Sequence, residues 1–336
     1  MALLDACAAI LSNLRSGSAE SSTKRLANVD TLARRPYPRP RHAERQTTRL
    51  NRFQYFEPAT LAEAVALLGR CNGKASLLAG GTDLLVEIRE HLRRPDYVIN
   101  IKQIPGMEAL GYDAKRGLKF GALVTSRAIE ISPVVQEKYP GLAQAVRDLG
   151  SIQVRNRATV VGNICRASPS ADTLPPLIAD GASARIYGPR GERVVLLEEF
   201  FTGPGQTVLK PDELVTEITI PPPPPRTGRI YIKHGRRKAM ELATVGVAIS
   251  LTLGGDTCRE IRIALGAVAP TPIRARRAEA LLRDRVIDER LIDAAAQAAR
   301  DESRPIGNVR ASAEYRRQMV EVLTRRAIKQ ALETAR

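Results

Sequence analysis

The chain has 336 residues, of which 43% are hydrophobic and 26% charged, and its formal net charge is +16. This length is long for one core, so we expect two or three domains, and no apolar run is long enough to span a bilayer. Aromatic residues make up only 4% of the chain and tryptophan is absent, which argues against a nucleic-acid-binding face that interleaves basic and aromatic side chains.

The first 50 residues differ from the rest of the chain. Their arginines stand among prolines, serines and threonines without apolar periodicity, a composition typical of disorder. The mildly apolar stretch 1–14 contains Asp5 and has no basic residue ahead of it, so it is a poor secretory signal and we expect a cytoplasmic protein.

A small α/β lobe is predicted to follow. Thr60 and Glu63 form a capping-box pattern before an amphipathic helix, and a strand ends at Leu78. The segment L-L-A-G-G-T-D-L-L at 77–85 then reads as a strand, a glycine turn and a helix over 82–89, with another strand over 97–101. Such a turn can hold a phosphate, but taken alone it is better explained as an ordinary tight turn, since neither G-x-G-x-x-G nor the P-loop spacing is present.

A larger mixed lobe is predicted from Leu118 onward, where short strands alternate with helical pieces such as 141–149. It contains a second glycine-centred stretch, R-N-R-A-T-V-V-G-N-I-C-R-A-S-P-S-A-D-T-L-P-P at 155–176, in which we place Thr159, Gly162 and Asn163 in a turn. A polar ligand loop and a loop rich in turn residues both fit this composition.

Five prolines at 221–225 cannot join a helix or sheet interior and indicate a linker. Beyond them, apolar stretches at 243–253 and 261–268 suggest an antiparallel sheet. Helical patterns follow over 274–282, 289–300 and 313–332; in the last, one face is predicted to carry Tyr315, Met319, Val322 and Leu323.

The cysteines show no C-x-x-C spacing, and the three histidines show no metal-ligand spacing, which argues against a zinc or iron–sulfur site on this chain. The cysteines, which we read as reduced thiols, are Cys7, Cys71, Cys165 and Cys258. Cys165 lies in the second motif, where a small buried thiol explains it better than a redox role.

Four motifs taken together resemble the flavin-binding medium subunit of the molybdenum hydroxylases, the family of xanthine dehydrogenase, carbon monoxide dehydrogenase and 4-hydroxybenzoyl-CoA reductase. They are A-G-G-T-D, R-N-x-A-T-x-x-G-N-I, A-S-P-x-x-D and, near the C-terminus, R-A-S-A-E-Y-R-R. The resemblance covers nearly everything from Arg52 onward. Family members begin near the position of Asn51, which predicts that Leu50 marks the true start and that 1–50 is a non-native leader; the intact mass of the native protein tests this.

The resemblance implies an α+β fold. We expect a two-lobed FAD-binding domain of the vanillyl-alcohol-oxidase/PCMH type over 51–225, with lobes at about 51–105 and 106–220. A C-terminal α+β domain over 226–336, with antiparallel strands and then helices, would follow.

The resemblance also implies the FAD contacts. The first motif would wrap the pyrophosphate, the second would close the phosphate and ribityl region, and an aspartate would bind hydroxyls. An apolar residue would flank the flavin ring, and a lysine would lie at its edge. These residues are, in order, Leu77, Leu78, Ala79, Gly80, Gly81, Thr82, Asp83 and Leu84; Thr159, Gly162 and Asn163; Asp172; Val215; and Lys233.

Three positions depart from the family pattern. Val161 replaces the first glycine of the usual G-G-N, which predicts a looser approach of the backbone to the ligand. Glu241 and Asn308 stand where aspartates are usual, so either could alter an ion pair. The Thr82-Asp83 pair matches xanthine-dehydrogenase-like members better than the carbon monoxide dehydrogenases.

The function implied is an electron relay, with 2Fe–2S clusters on a small partner subunit and the molybdenum cofactor on a large one, in a dimer of heterotrimers. The terminal acceptor would be NAD, a quinone, oxygen or a carrier protein. The basic charge reflects genome composition most simply; a docking face for an acidic redox partner is the alternative. A self-contained flavin oxidase of the vanillyl-alcohol-oxidase-like fold and a basic binding protein that has lost flavin are the other hypotheses.

Overall fold

A computed structural model describes residues 51–336. The predictions of a disordered segment and of a non-native leader over 1–50 lie outside the described residues.

The first part of the described chain contains a three-stranded parallel sheet with the strand order β1-β3-β2. The elements in chain order are β1 (Gln54–Phe56), α1 (Leu61–Cys71), β2 (Ala75–Leu78), α2 (Leu84–Arg89) and β3 (Tyr97–Asn100). Thr60 caps α1 by accepting the N–H of Glu63, whose carboxylate accepts the N–H of Ala59. The expected helix after the glycine turn is present, although it begins at Leu84 rather than Thr82.

Residues 85–94, which hold most of α2, do not belong to the compact unit formed by 52–84 and 95–336. After the helix ends, the N–H groups of Leu92 and Arg93 both donate to the carbonyl oxygen of Glu87. These two bonds close the chain into a turn in which His91 has a φ of 58°.

The next part has a five-stranded antiparallel sheet with the order β4-β5-β10-β6-β7. Its strands are β4 (Leu110–Asp113), β5 (Gly117–Gly121), β6 (Ser183–Gly188), β7 (Gly191–Leu196) and β10 (Leu214–Ile220), and β8 (Phe201–Gly203) pairs with β9 (Gln206–Thr207).

The predicted alternation of strands and helices is wrong for this part, because six helices follow one another between β5 and β6. They are α3 (Ser126–Ile131), α4 (Pro133–Lys138), α5 (Pro140–Arg147), α6 (Ile152–Arg155), α7 (Val160–Arg166) and α8 (Leu174–Ala179). Pro133 and Pro140 each open a helix, where a missing N–H costs nothing. They therefore divide one helical stretch into short helices. Helices this short show too few turns for their apolar pattern to be distinguished from that of a strand.

The C-terminal part begins with the antiparallel sheet β11-β12-β13-β14, in which β15 also pairs with β13. Its strands are β11 (Thr227–His234), β12 (Val245–Gly254), β13 (Thr257–Gly266), β14 (Ile273–Arg274) and β15 (Arg285–Val286), and its helices are α9 (Arg276–Leu282), α10 (Glu289–Glu302) and α11 (Ala313–Ala335). The proline run between β10 and β11 lies outside helix and strand; the domain limits stay a prediction.

The buried face of α11 matches the expected one in part. Leu323 is buried against the sheet and Met319 packs against the same core, as predicted, whereas Tyr315 is 42% exposed. The buried face also includes Val320 and Arg316, and the arginine interrupts the apolar stripe that the sequence pattern would otherwise show.

Two cores fill the described chain, and the C-terminal sheet separates them. Alternate residues of a strand point to opposite faces. Val247 and Ile249 accordingly belong to the core under the C-terminal helices. Ala248 and Tyr231 belong to the core of the preceding parts. One face of β11 is thus presented to the part of the chain that carries the second motif. Within residues 51–336, no helix is long and apolar enough to cross a membrane.

Candidate functional site

The glycine turn of the first motif is held by two constraints that exclude side chains. Gly81 has a φ of 77°, a left-handed conformation that glycine adopts freely. A Cβ on Gly80 would collide with the carbonyl oxygen of Arg157 and lie 3.0 Å from the Cα of Ala158. Arg157 and Ala158 belong to the second motif, so the two stretches, which are far apart in sequence, meet at Gly80.

The turn leaves backbone donors available. Among the residues that the structure describes, the N–H groups of Gly80, Gly81 and Thr82 have no hydrogen-bond acceptor. Backbone N–H groups that converge in a glycine turn form an anion site. The donor set therefore fits a pyrophosphate.

The residues on either side fix the turn to the sheet. Leu77 and Leu78 are the last residues of β2, Leu78 pairs with Asn100 on β3, and its side chain is buried. Ala79 packs against the core, and Leu84 begins α2. The strand end thus sets the position of the turn.

The second motif contains a helix start where a turn was predicted. Thr159 is the N-cap of α7, and its Oγ1 accepts the N–H of Gly162 at 3.0 Å. A Cβ on Gly162 would lie 2.8 Å from that Oγ1. A side chain at 162 would therefore require the cap to shift, and Thr159 serves as an ordinary N-cap.

The side chain of Val161 is buried in the core, and its predicted effect on the approach of the backbone to a ligand stays a prediction. Its side chain is only 4% exposed and belongs to the core of the preceding parts. Since the side chain points into that core, it does not occupy the space above the turn.

Asn163 is oriented by one side-chain bond. Its Oδ1 accepts the hydroxyl of Thr173 at 2.7 Å. The amide N–H₂ group has no partner within the described part of the chain, so it remains available as a donor to a ligand.

Asp172 is bound by two residues of β11. Its carboxylate accepts the hydroxyl of Tyr231 at 2.9 Å and the ammonium of Lys233 at 2.8 Å. Burial raises the pKa of Asp172 to about 6, although Lys233 opposes that shift. The carboxyl is still ionised at neutral pH, and two of its roughly four acceptor positions remain.

Lys233 is saturated by protein oxygens. Besides Asp172, its ammonium donates to the carbonyl oxygens of Asp148 at 3.0 Å and Glu241 at 2.8 Å. An ammonium has three N–H donors, so a direct contact with a flavin would replace one of these bonds.

Val215 lies in β10 beside a bulge in the pairing with β6, and it is 3% exposed. Its side chain belongs to the same core as Val161. Its contact with a flavin ring stays a prediction.

Two cations near the glycine turn were missed by the sequence analysis. The ammonium of Lys102 bonds Asn100 at 3.0 Å, and its pKa is lowered to about 8, first by desolvation and second by the positive charge of Arg157. Neither Lys102 nor Arg157 has an ion pair among the described residues. Lys102 follows β3 at the edge where β2 also ends, and the carboxyl ends of parallel strands are a common ligand site. The position of Lys102 directly after this strand is the sequence feature that could have identified it as a candidate ligand contact.

Cys165 is not activated as a nucleophile in this environment. Burial raises the pKa of its thiol to about 12, so it is not ionised at neutral pH and is a poor nucleophile. Cys71 and Cys258 are also free thiols.

Comparisons with known proteins agree with this geometry. Residues 51–223 match the family described as "FAD binding domain in molybdopterin dehydrogenase" and 230–331 the family described as "CO dehydrogenase flavoprotein C-terminal domain". The chain is 32% identical to the xanthine dehydrogenase FAD-binding subunit of Escherichia coli O157:H7 over 84% of its length and 96% of that protein's. It is 35% identical to the carbon monoxide dehydrogenase medium chain of Hydrogenophaga pseudoflava, and the match covers 82% of this chain and 96% of that protein. A solved structure of carbon monoxide dehydrogenase from Hydrogenophaga pseudoflava superposes with a TM-score of 0.81 and 35% identity, covering 84% of this chain and 98% of that one.

Proposed function

Because this chain belongs to the family of FAD-binding medium subunits of molybdenum hydroxylases, we propose that it acts as the electron-transfer subunit of such a complex. It passes electrons between 2Fe–2S clusters of a small subunit and a terminal acceptor. The predicted family, the α+β fold and FAD as the cofactor of this chain are confirmed.

The observation that carries the proposal is the meeting of the two motifs at Gly80, with unpaired N–H groups on one side and the carbonyl of Arg157 on the other. When bound, FAD exchanges single electrons with iron–sulfur clusters and pairs of electrons with an acceptor. The chain itself binds and orients the cofactor.

The described residues divide this binding between two regions. The N–H groups of Gly80, Gly81 and Thr82 hold the pyrophosphate, and the charges of Lys102 and Arg157 support them. Thr82 is followed in the same turn by Asp83, which the family pattern also assigns to the pyrophosphate.

Hydroxyl groups of the cofactor need fixed polar partners. The free amide N–H₂ of Asn163 and the remaining acceptor positions of Asp172 supply them. Lys233 keeps Asp172 ionised and in place, and Val215 flanks the ring in the proposed site.

We place this chain in a heterotrimer with a small iron–sulfur subunit and a large molybdenum-binding subunit, in a dimer of such trimers in the cytoplasm. NAD, a quinone, oxygen or a carrier protein accepts the electrons. The Thr82-Asp83 pair supports a xanthine-dehydrogenase-like complex, and oxidation of carbon monoxide by the purified complex would contradict that assignment.

The test needs no knowledge of the substrate. Complexes carrying either the wild-type chain or Gly80→Ala are reduced anaerobically with dithionite, freed of reductant and mixed with each acceptor. The relay predicts rapid reoxidation of the iron–sulfur clusters in the wild-type complex and at least about a hundredfold slower reoxidation without bound FAD, since a missing cofactor removes the path. Equal rates in the wild-type complex and in a Gly80→Ala complex whose absorbance shows that FAD is missing would overturn the relay.

A further inference from the structure

Tyr231 is a buried residue whose hydroxyl reaches the proposed cofactor site, although it lies in none of the four motifs. It is 5% exposed and belongs to β11, two residues before Lys233. Residues two apart in a strand point to the same face of the sheet, and both of these side chains bind Asp172. The strand therefore supplies two donors to one carboxylate.

The two donors bind different oxygens of Asp172. Tyr231 donates to Oδ1 at 2.9 Å and Lys233 to Oδ2 at 2.8 Å. The last torsion of an aspartate side chain is broad, so one donor alone leaves the carboxylate free to turn about its Cβ–Cγ bond. Two donors, one on each oxygen, fix its plane. One acceptor position then remains on each oxygen, and both positions point in fixed directions.

The Tyr231 hydroxyl is a donor in a fixed place. Burial, and then the charge of Asp172, raise the pKa of this hydroxyl well above its ordinary value, so it keeps its proton at neutral pH. A tyrosine has only two side-chain torsions, whereas a lysine has a flexible four-carbon stem. Tyr231 is thus better suited to orient the carboxylate, and Lys233 supplies the counter-charge.

The neighbouring strand β12 leaves room for the tyrosine ring. Tyr231 pairs with Ala248, and Lys233 pairs with Gly246, so two small residues lie beside the ring. A Cβ on Gly246 would lie 3.0 Å from the hydroxyl oxygen of Tyr231 and 3.3 Å from its Cε2. A side chain at 246 would therefore displace the ring. The glycine leaves the space in which the hydroxyl reaches Asp172.

A second buried tyrosine shows that burial alone does not require such a partner. Tyr139 is 0% exposed, and its hydroxyl donates to the carbonyl oxygen of Pro221 at 2.9 Å and accepts the N–H of Leu118 at 3.2 Å. Backbone groups thus satisfy that hydroxyl. Tyr231 instead binds the side chain that the family pattern assigns to hydroxyl groups of the cofactor.

We propose that Tyr231 is a positioning residue for FAD: its hydroxyl holds Asp172 in the orientation that accepts hydroxyl groups of the cofactor. This inference rests on the proposed function, since it requires the contact between Asp172 and FAD. It adds that the contact depends on a residue of the C-terminal part. Because Tyr231 acts through Asp172, its effect on FAD binding vanishes when Asp172 is absent.

The test is a mutant cycle on the full chain freed of FAD. Fluorescence titration with FAD at neutral pH gives the dissociation constants of wild type, Tyr231→Phe, Asp172→Ala and the double variant, and denaturant unfolding gives their stabilities. Tyr231→Phe keeps the ring and removes only the hydroxyl. Tyr139→Phe is the matched control, because it removes a buried hydroxyl that backbone groups satisfy.

We expect Tyr231→Phe to weaken FAD binding by about five- to twentyfold, because Asp172 is no longer held in one orientation. Tyr139→Phe should lower the stability of the chain and leave its FAD affinity unchanged. Asp172→Ala should itself bind FAD more weakly than wild type, and in that background Tyr231→Phe should have no further effect. A purely structural role of Tyr231 would not produce this dependence on Asp172.

A second pair of variants tests the proposal with Asp172 in place, since Asp172→Ala leaves Lys233 with carbonyl partners alone and can prevent folding. Gly246→Ala displaces the Tyr231 ring and should weaken FAD binding by about threefold or more. Gly254→Ala, in the same strand, should not, because its Cβ would lie 3.7 Å from the nearest atom, an ordinary contact.

Equal FAD affinity of Tyr231→Phe and wild type would overturn the inference, as would the same loss with and without Asp172 or equal affinities of Gly246→Ala and Gly254→Ala. These results would leave the proposed function intact as long as Asp172→Ala binds FAD weakly. Wild-type affinity in Asp172→Ala would refute the contact between Asp172 and FAD and this inference with it. A folded wild-type chain that does not bind FAD would refute the proposed function itself.

Discussion

Asp172 and Lys233 form a buried ion pair of 2.8 Å that joins the second motif to the first strand of the C-terminal sheet. Two residues before Lys233, Tyr231 donates to the same carboxylate, and two residues earlier again Arg229 pairs with Asp180 at 2.6 Å. One face of β11 thus holds two buried carboxylates of the preceding part. The C-terminal sheet therefore supports the residues of the proposed cofactor site.

We predict that Lys233→Met destabilises the protein by about 3–5 kcal/mol, because it leaves the carboxylate of Asp172 buried without a counter-ion. Denaturant unfolding measures this change. Asp172→Asn/Lys233→Met should recover much of the loss, since both charges are absent. The control Lys119→Met breaks an ion pair with Glu217 in which Lys119 is 59% exposed, and it should cost less than about 1 kcal/mol. Similar losses from the two single variants would contradict the buried pair.

FAD affinity should depend on pH through Lys102. Its pKa in the chain without ligand is about 8, and a pyrophosphate favours the protonated form. Affinity is therefore constant below this pKa and falls as the pH rises through it, by about five- to tenfold one pH unit above. Fluorescence titration with FAD at a series of pH values checks this. Lys102→Met should flatten the profile, and Lys115→Met, at an exposed position, should not; a flat profile in wild type would exclude Lys102 from the site.

Val161→Gly restores the glycine of the family pattern, yet we expect it to damage the protein. It removes a buried side chain and places glycine inside α7, which together cost about 2–4 kcal/mol. The FAD content of folded protein should stay unchanged, because the side chain points away from the turn. Val309→Gly, at a 92% exposed position, should be nearly neutral. Tighter FAD binding by Val161→Gly would show that the valine does obstruct the ligand.

Asn308→Asp should stabilise the C-terminal part. The guanidinium of Arg316 is 3% exposed and donates to the carbonyl oxygens of Thr244 and Ala267 and to Oδ1 of Asn308. Burial, and then the charge of Arg310, lower its pKa. A carboxylate at 308 would supply the missing counter-charge and raise stability by about 1–2 kcal/mol.

The midpoint of denaturant unfolding measures this gain. Asn308→Ala, at the same position, removes the acceptor and should lower the midpoint. An unchanged midpoint in Asn308→Asp would mean that backbone carbonyls already satisfy Arg316.

The parts of the site that the sequence could predict depend on local chemistry. Glycines at 80 and 81 predict a turn because of their backbone freedom, and the capping pattern at Thr60 predicts the start of α1. The sequence predicts a turn at Thr159 and Gly162 because the same residue types occur in turns and in helix caps. The hydrogen bond from the N–H of Gly162 to Thr159 Oγ1 distinguishes the cap from the turn.

Other features depend on contacts between distant segments and were not predictable from periodicity. Lys102 lies at the same edge of the sheet as the turn only because Leu78 and Asn100 are paired across parallel strands. β10 inserts between β5 and β6, although a run of helices separates these strands in the sequence. The ammonium of Lys233 likewise uses all its N–H donors only because the folded chain brings the carbonyl oxygen of Glu241 to it.

The most direct test of the account is the FAD content of the purified full chain, co-expressed with its partner subunits, for wild type, Gly80→Ala and Gly111→Ala. A Cβ on Gly111 in β4 would meet no atom within 4 Å, so this variant controls for the loss of a glycine. We predict about one FAD per chain for wild type and Gly111→Ala, and folded protein nearly free of FAD for Gly80→Ala, since a side chain there separates the two motifs. Full FAD content in Gly80→Ala, or a folded and colourless wild-type chain, would contradict the proposal that the two motifs form one FAD site.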